Sequence, residues 1–383
     1  MKKRNLTIAV APDSFKGTLT AMEAAACIER GLKNIIPHIS VRKVPMADGG
    51  EGTVTAIVGA TDGKMVSRTV QNPLGKKIKA SFGLTGDKET AVIEMAAANG
   101  LALLASKERN PMKTSSHGTG ELIYHALNSG AKKVLVGIGG SATNDGGAGM
   151  AQALGIKLLD RKGHQIKGCG EGLGKLDRID MSGIDPRLAS LSVEVACDVD
   201  NPLTGEHGAS YIYGPQKGAT PDMVKQLNAN LKRLADIIKR DIGVDVLTVP
   251  GSGAAGGLGG GLMAFLGGKL RSGVDIVIDI VKLKEKIKGC DLVIAGEGRM
   301  DGQTVFGKTA SGVAKIAKQL DIPVISISGC TGEGIRNVHS IGVDAYFSAL
   351  QECVTEEELH KQAPAMLTDC TEQIARLLSL KII

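Results

Sequence analysis

The stretch from Asp291 to Gly312, DLVIAGEGRMDGQTVFGKTASG, concentrates the side chains best suited to moving charged groups. Asp291 to Ala295 is a short apolar run that reads as a strand buried on both faces. A turn carrying Glu297, Arg299 and Asp301 follows, then a glycine-spaced loop to Lys308 and a helix from about Thr309. Strand, charged loop and helix in that order present acids and backbone N–H donors to an anion at the carboxyl edge of a sheet. Gly302, Gly307, Lys308 and Thr309 also satisfy G-x-x-x-x-G-K-[ST], the P-loop pattern. A P-loop opens directly off its strand, whereas three charged residues intervene here. The segment reads as a phosphate-facing loop and not as a Walker A motif.

Other loops carry matching chemistry. Asp13, Ser14 and Lys16 follow a strand-like run, Leu6 to Ala11, and Asp48 and Glu51 follow a second, Ser40 to Pro45. Phosphoryl transfer needs a carboxylate to orient or deprotonate the attacking hydroxyl, cations to hold phosphate, and a metal ion. The run Gly137-Ile-Gly139-Gly140-Ser141-Ala-Thr143-Asn144-Asp145 leaves a strand and enters a helix. Its small residues expose N–H groups, Ser141 and Thr143 add hydroxyls, and Asn144 and Asp145 are hard-oxygen donors for Mg²⁺. The plainer reading is a tight turn with an Asx cap. Asp198, Asp200 and Asn201 make a third acidic end, equally suited to a metal or to the turn at Pro202. Gly251-x-Gly253-x-x-Gly256, with Asp275 downstream, matches the dinucleotide fingerprint and supports a rival, an NAD(P)-dependent oxidoreductase of a small hydroxy acid. Pro250 and the further glycines favour close helix packing or a hinge instead.

These loops need strands and helices to hold them. Thr20 and Glu23 form a capping box for a helix reaching about Ile36. Short alternating segments with turns at NPLG and TGDK, between about Val66 and Leu104, read as antiparallel. VDIVIDIV reads as a strand, IPVISISG as another, and a closing helix ends near Leu380. Residues 160–190 cannot be placed. Because the strand–helix rhythm of the two ends is the same, the layout is α/β with two domains. Residues 1–65 and 286–383 form a discontinuous parallel-sheet domain, and 66–285 an inserted mixed α/β domain.

The 383 residues can bury a sizeable core, and with aromatics at 2% that core is aliphatic. Fifty-two glycines, gathered at the ends of apolar runs, bring backbone close to something at many turns. A net charge of +6 suits an anionic small substrate, and its scattered Lys and Arg disfavour nucleic acid. No basic helix suits a DNA-binding regulator. Seven cysteines without C-x-x-C spacing read as reduced thiols of a cytoplasmic protein, and no apolar run is long enough to span a membrane.

Six linked segments, APDSFKG, ADGGEGT, GIGGSATNDGGAGM, CDVDNPL with GPQKGA, PGSGAAGGLGGGL and GEGRMDGQT, stand in the order seen in class I bacterial glycerate kinases. The chain resembles that family over nearly its whole length. The resemblance implies a Rossmann- or flavodoxin-like discontinuous domain, a second α/β domain, and a site in the cleft. It implies phosphorylation of D-glycerate by MgATP to 2-phosphoglycerate, with 3-phosphoglycerate as the alternative; a homo-oligomer is compatible with it. On that reading Lys16 or Arg299 holds the substrate carboxylate, and one of Asp13, Asp48 and Asp301 handles the hydroxyl proton. Mg²⁺ falls among Asp145, Asp198 and Glu297. Nucleotide phosphates fall to Lys308, to Gly139, Gly140, Ser141 and Thr143, and to Gly251, Gly253 and Gly256.

Overall fold

The computed structural model describes residues 6–305, 307–352 and 354–380. Its first strands are β1 (Thr7–Pro12), β2 (Ser40–Lys43), β3 (Lys64–Gln71), β4 (Lys77–Leu84), β5 (Thr90–Glu94) and β6 (Lys133–Gly137). They are followed by β7 (Lys157–Leu159), β8 (Arg178–Asp180), β9 (Ser192–Ala196) and β10 (Lys269–Arg271). The last are β11 (Leu292–Met300), β12 (Val324–Thr331) and β13 (Ala345–Ser348). The chain divides into two compact units, both α/β. The first comprises Met1–Asp48, Thr55–Asp62 and Val274–Ile383, and the second Gly49–Val54 and Gly63–Gly273. Expected boundaries stood at 65/66 and 285/286.

The first unit holds a sheet in the order β13-β12-β11-β1-β2, every pairing parallel. Within this unit that is the order 2-1-3-4-5, flavodoxin-like, as expected. Strands buried on both faces can be continuously apolar, and Ile8–Ala11 and Val293–Ala295 are fully buried. The order reverses between β1 and β11, which opens a crevice at their carboxyl ends.

The helix Ala21–Ile35 begins at the expected capping box, with Thr20 N–H donating to Glu23 Oε2 (2.9 Å) and Glu23 N–H to Thr20 Oγ1 (3.2 Å). It packs on the closing helix, Glu356–Ser379, through Gly31. A Cβ at Gly31 would lie 2.5 Å from Thr368 O and 2.7 Å from Thr371 Cβ. Gly31→Ala is therefore expected to cost about 1–3 kcal/mol, since backbone must move to admit one methyl group. Denaturant unfolding checks this, and an unchanged midpoint would show that the helices part freely.

Two expectations need correction. VDIVIDIV is a helix, Gly273–Val281. Asp275 and Asp279 are exposed four residues apart while Val274, Val277, Ile278 and Val281 are buried, a pattern that satisfies both periods. Packing against the helix Thr309–Lys318 decides, because Gly312 leaves room for Val274, whose Cγ1 would be 2.4 Å from an added Cβ. The supposed turn holding Glu297 and Arg299 is the second half of β11, paired with β12 from Glu297↔Ser328 to Met300↔Thr331.

The second unit carries a mixed sheet in the order β10-β9-β6-β5-β4-β3. β3, β4 and β5 pair antiparallel, as their alternation and turns indicated, and β5, β6, β9 and β10 run parallel. Residues 160–190 hold β8, which pairs antiparallel with β7 just ahead of them, and short helical turns. Among the described residues no helix is long and apolar enough to cross a membrane.

Candidate active site

In the first unit, Asp13 N–H donates to Gly296 O (2.8 Å) and Met46 N–H to Pro12 O (2.9 Å). These bonds extend the ladders past the strand ends and bring the loops after β2, β1 and β11 side by side. A cavity of about 390 Å³ opens there, lined by Asp13, Lys16, Asp48, Glu297, Arg299 and Lys308. Apolar side chains, among them Phe15, Leu350, Leu359, Met366 and Leu367, also line it. Gly298 makes the crossing feasible, because a Cβ there would lie 3.1 Å from Lys16 N and 3.2 Å from Phe15 Cα.

Two acids in this pocket, Asp13 and Glu297, are unusually proton-retentive. Asp13 is 7% exposed, and burial pushes its carboxyl up to about 6. A hydrogen bond from Thr309 Oγ1 to Oδ2 opposes that rise, Asp48 adds to it, and Ser14 N–H donates to Oδ1 (2.6 Å). Glu297 is 9% exposed, and burial pushes it up to about 7 against Lys308, with Asp13 reinforcing the rise. Its Oε1 is buried without a hydrogen-bond partner. The cations are threaded among the acids. Lys16 Nζ donates to Asp48 Oδ2 (3.1 Å); burial lowers the Lys16 ammonium, but Asp48, Asp13 and Glu297 hold it above its usual value. Lys308 Nζ stands 3.7 Å from Glu297 and 3.8 Å from Asp301, and Arg299 Nε stands 3.5 Å from Asp301. Lys308 is the cap residue of its helix and points to carboxylates, which supports the sequence argument against a Walker A motif.

In the second unit the loop after β6 is pinned at nearly every residue. Leu101 N–H donates to Gly140 O, Ala142 N–H to Asn99 O, and Thr114 Oγ1 to Ala142 O. Asn144 Nδ2 donates to Ser210 Oγ (2.8 Å). Asp145, wholly buried, accepts from Ser116 N–H and Oγ (both 2.8 Å), Gly149 N–H (3.1 Å) and Gly147 N–H (3.3 Å). Burial raises its carboxyl pKa while those donors oppose the rise. The expectation that Asp145 ligates a metal does not suit this geometry, because its oxygens are already occupied by the loop it organises. Asp198 Oδ1 accepts from Gly273 N–H (3.0 Å). Among the described residues, no three or more His, Cys, Asp or Glu side chains are grouped to hold a metal ion.

The dinucleotide fingerprint is a packing device. No strand precedes it, and Gly251, Gly253 and Gly256 are buried. A Cβ at Gly256 would lie 2.0 Å from Thr143 O, one at Gly253 2.1 Å from Pro202 O, and one at Gly251 2.9 Å from Leu270 Cδ1. Protein fills the space a pyrophosphate would need. Gly139 and Gly140, in contrast, are exposed, and a Cβ at Gly139 would meet nothing within 4 Å.

Two residues escaped the sequence reading. Thr309 reads in sequence as a helix start and as the last position of the rejected P-loop pattern, yet its hydroxyl binds Asp13 across 296 residues of chain. Lys217 sat unremarked inside GPQKGAT, yet it is 2% exposed and donates to Ser141 Oγ (2.8 Å) and Thr143 O (2.7 Å). The glycines flanking that short segment were its only outward sign.

Carboxyls and ammonium groups at the switch point of one sheet, and a pinned glycine turn on a second, define an α/β protein equipped for anionic small molecules. The chain belongs to the glycerate kinase family, whose model matches residues 8–379. It is 50% identical to the glycerate kinase of Halalkalibacterium halodurans, over 96% of this chain and 97% of that one. It is 50% identical to the glycerate 2-kinase of Escherichia coli K12, over 98% of each. A crystal structure from Salmonella typhimurium LT2, attributed to a glycerate kinase 2, superposes with a TM-score of 0.91 at 49% identity over 98% of each chain. The oxidoreductase alternative has no support in either the glycine packing or these relatives.

Proposed function

We propose that this protein is a kinase that phosphorylates D-glycerate with ATP to give 2-phosphoglycerate, in the cytoplasm. The carrying observation is the placement of Asp13 and Glu297 at the switch point, both with carboxyl pKa values raised toward neutrality, beside Lys16, Arg299 and Lys308. Transfer of a phosphoryl group is mostly positioning and charge stabilisation, with one base for the attacking hydroxyl. Asp13 is that base, since it is buried, poised near neutral pH and fixed by Thr309. Lys16 and Arg299 hold the substrate carboxylate, with Asp48 orienting Lys16 and Asp301 orienting Arg299. Lys308 supplies a cation for the transferring phosphoryl group. The turn Gly139–Gly140–Ser141 takes nucleotide phosphate, and Thr143, Gly251, Gly253 and Gly256 support it from within.

Glu297, whose buried Oε1 lacks a hydrogen-bond partner, is the acid of this pocket that would hold Mg²⁺. Mg²⁺ bound with the nucleotide would supply charge neutralisation. The name of the E. coli relative favours the 2-position, with the 3-position as the alternative. Incubating the purified protein with ATP, Mg²⁺ and D-glycerate should release ADP, and ³¹P NMR should show 2-phosphoglycerate. No ADP, together with NADH formation from NAD⁺ and a hydroxy acid, would overturn the proposal.

A further inference from the structure

We infer that Lys217 is a positioning residue for nucleotide binding, fixing the Gly139–Ser141 turn from behind and making it electropositive toward phosphate. The inference rests on the proposed role of that turn. Lys217 ends the short helical turn Pro215–Lys217, and the chain reverses at Gly218 (φ 92°). A Cβ at Gly218 would lie 2.4 Å from Arg109 O, so the reversal needs glycine and commits the lysine inward. The ammonium then donates to Ser141 Oγ and to Thr143 O, on either side of Ala142.

An ammonium in this place is costly. Removing such a charge from water without a partner costs several kcal/mol, and an apolar side chain of similar length would fill the volume without that cost. Burial lowers the Lys217 pKa to about 7, with the charge of Asp145 opposing that fall; no ion pair joins the two among the described residues, and the oxygens of Asp145 are taken by Ser116, Gly147 and Gly149. When protonated, Lys217 therefore carries a positive charge that no direct ion pair cancels. Charge-assisted bonds of 2.7–2.8 Å pass its polarisation to the Ser141 hydroxyl and the Thr143 carbonyl. Gly139 and Gly140 are the exposed end of the same turn, with open space at Gly139, while a Cβ at Gly140 would lie 3.4 Å from Ala96 Cβ. A positive charge behind an exposed glycine turn suits an anion bearing several oxygens, as a nucleotide's phosphates do.

Lys217→Met keeps the length and removes the charge. The variant should fold with a melting temperature no lower than wild type, yet bind ADP at least tenfold more weakly by calorimetry in the absence of glycerate. KM for D-glycerate should stay within twofold. An unchanged ADP dissociation constant would show that Lys217 only packs, and so would a tenfold rise confined to the glycerate KM. Ser141→Ala, which removes one acceptor and keeps the lysine, should weaken ADP about threefold or more; it decides the matter if Lys217→Met fails to fold, and an unchanged constant there also overturns the inference. Wild-type turnover of glycerate with ADP binding unaltered in both variants would sink this inference and leave the proposed function standing. Lys217-dependent ADP binding without glycerate phosphorylation would do the reverse.

Discussion

Asp13→Ala is expected to lower kcat for glycerate-dependent ADP formation about 10³-fold, with KM for each substrate changed only a few-fold. Asp13 is the acid in the pocket that combines burial, a pKa near 6 and a fixed hydroxyl partner. A base tuned near working pH is half ready to accept a proton and still strong enough to take one. Truncation removes proton transfer without opening the core, because Ala9–Ala11 beneath it stay packed. Steady-state assays with both substrates varied in turn provide the measurement. Activity within tenfold of wild type would transfer the role to Asp48 or Asp301. Asn at the same position separates charge from shape, and its kcat should match that of the alanine variant.

The second large effect is on stability and has a sign that depends on pH. The folded-state pKa of Glu297, about 7, lies above its ordinary 4.5, so the folded protein holds a proton there that the unfolded chain releases. The associated stability is complete below pH 4.5 and is lost as pH rises through 7. Glu297→Gln, neutral throughout, escapes that loss. At pH 8.5 in metal-free buffer it should be more stable than wild type by about 3 kcal/mol, the 2.5-unit rise at 1.36 kcal/mol per unit. The two proteins should converge near pH 4.5. Denaturant titrations at several pH values measure this difference, and parallel curves would show that Glu297 is already charged and solvated in the fold. Because Asp13 reinforces the Glu297 shift, an Asp13→Asn background should shrink the difference.

The site acids were legible because each follows an apolar run and precedes glycine or a polar loop. In a parallel sheet that places them at the carboxyl edge whichever order the strands take. Asp13, Asp48 and Glu297 could thus be named from local pattern alone, as could the capping box at Thr20 and the antiparallel start of the second unit. The six linked segments also identified the family without coordinates. Strand order was beyond the sequence, since β1 and β11 are nearly three hundred residues apart and nothing local records that they pair. The same is true of Thr309 on Asp13 and Lys217 on Ser141. Period was ambiguous at Gly273–Val281, where helix and strand patterns coincide and only the neighbour at Gly312 decides. Fingerprint glycines misled for a related reason. Glycine marks a close approach of backbone to something, and whether that is a pyrophosphate or, as at Gly256, the Thr143 carbonyl is settled by what the fold packs there. Residue type and spacing thus fixed which groups could act, while their partners, burial and proton affinity came from long-range packing that excludes water.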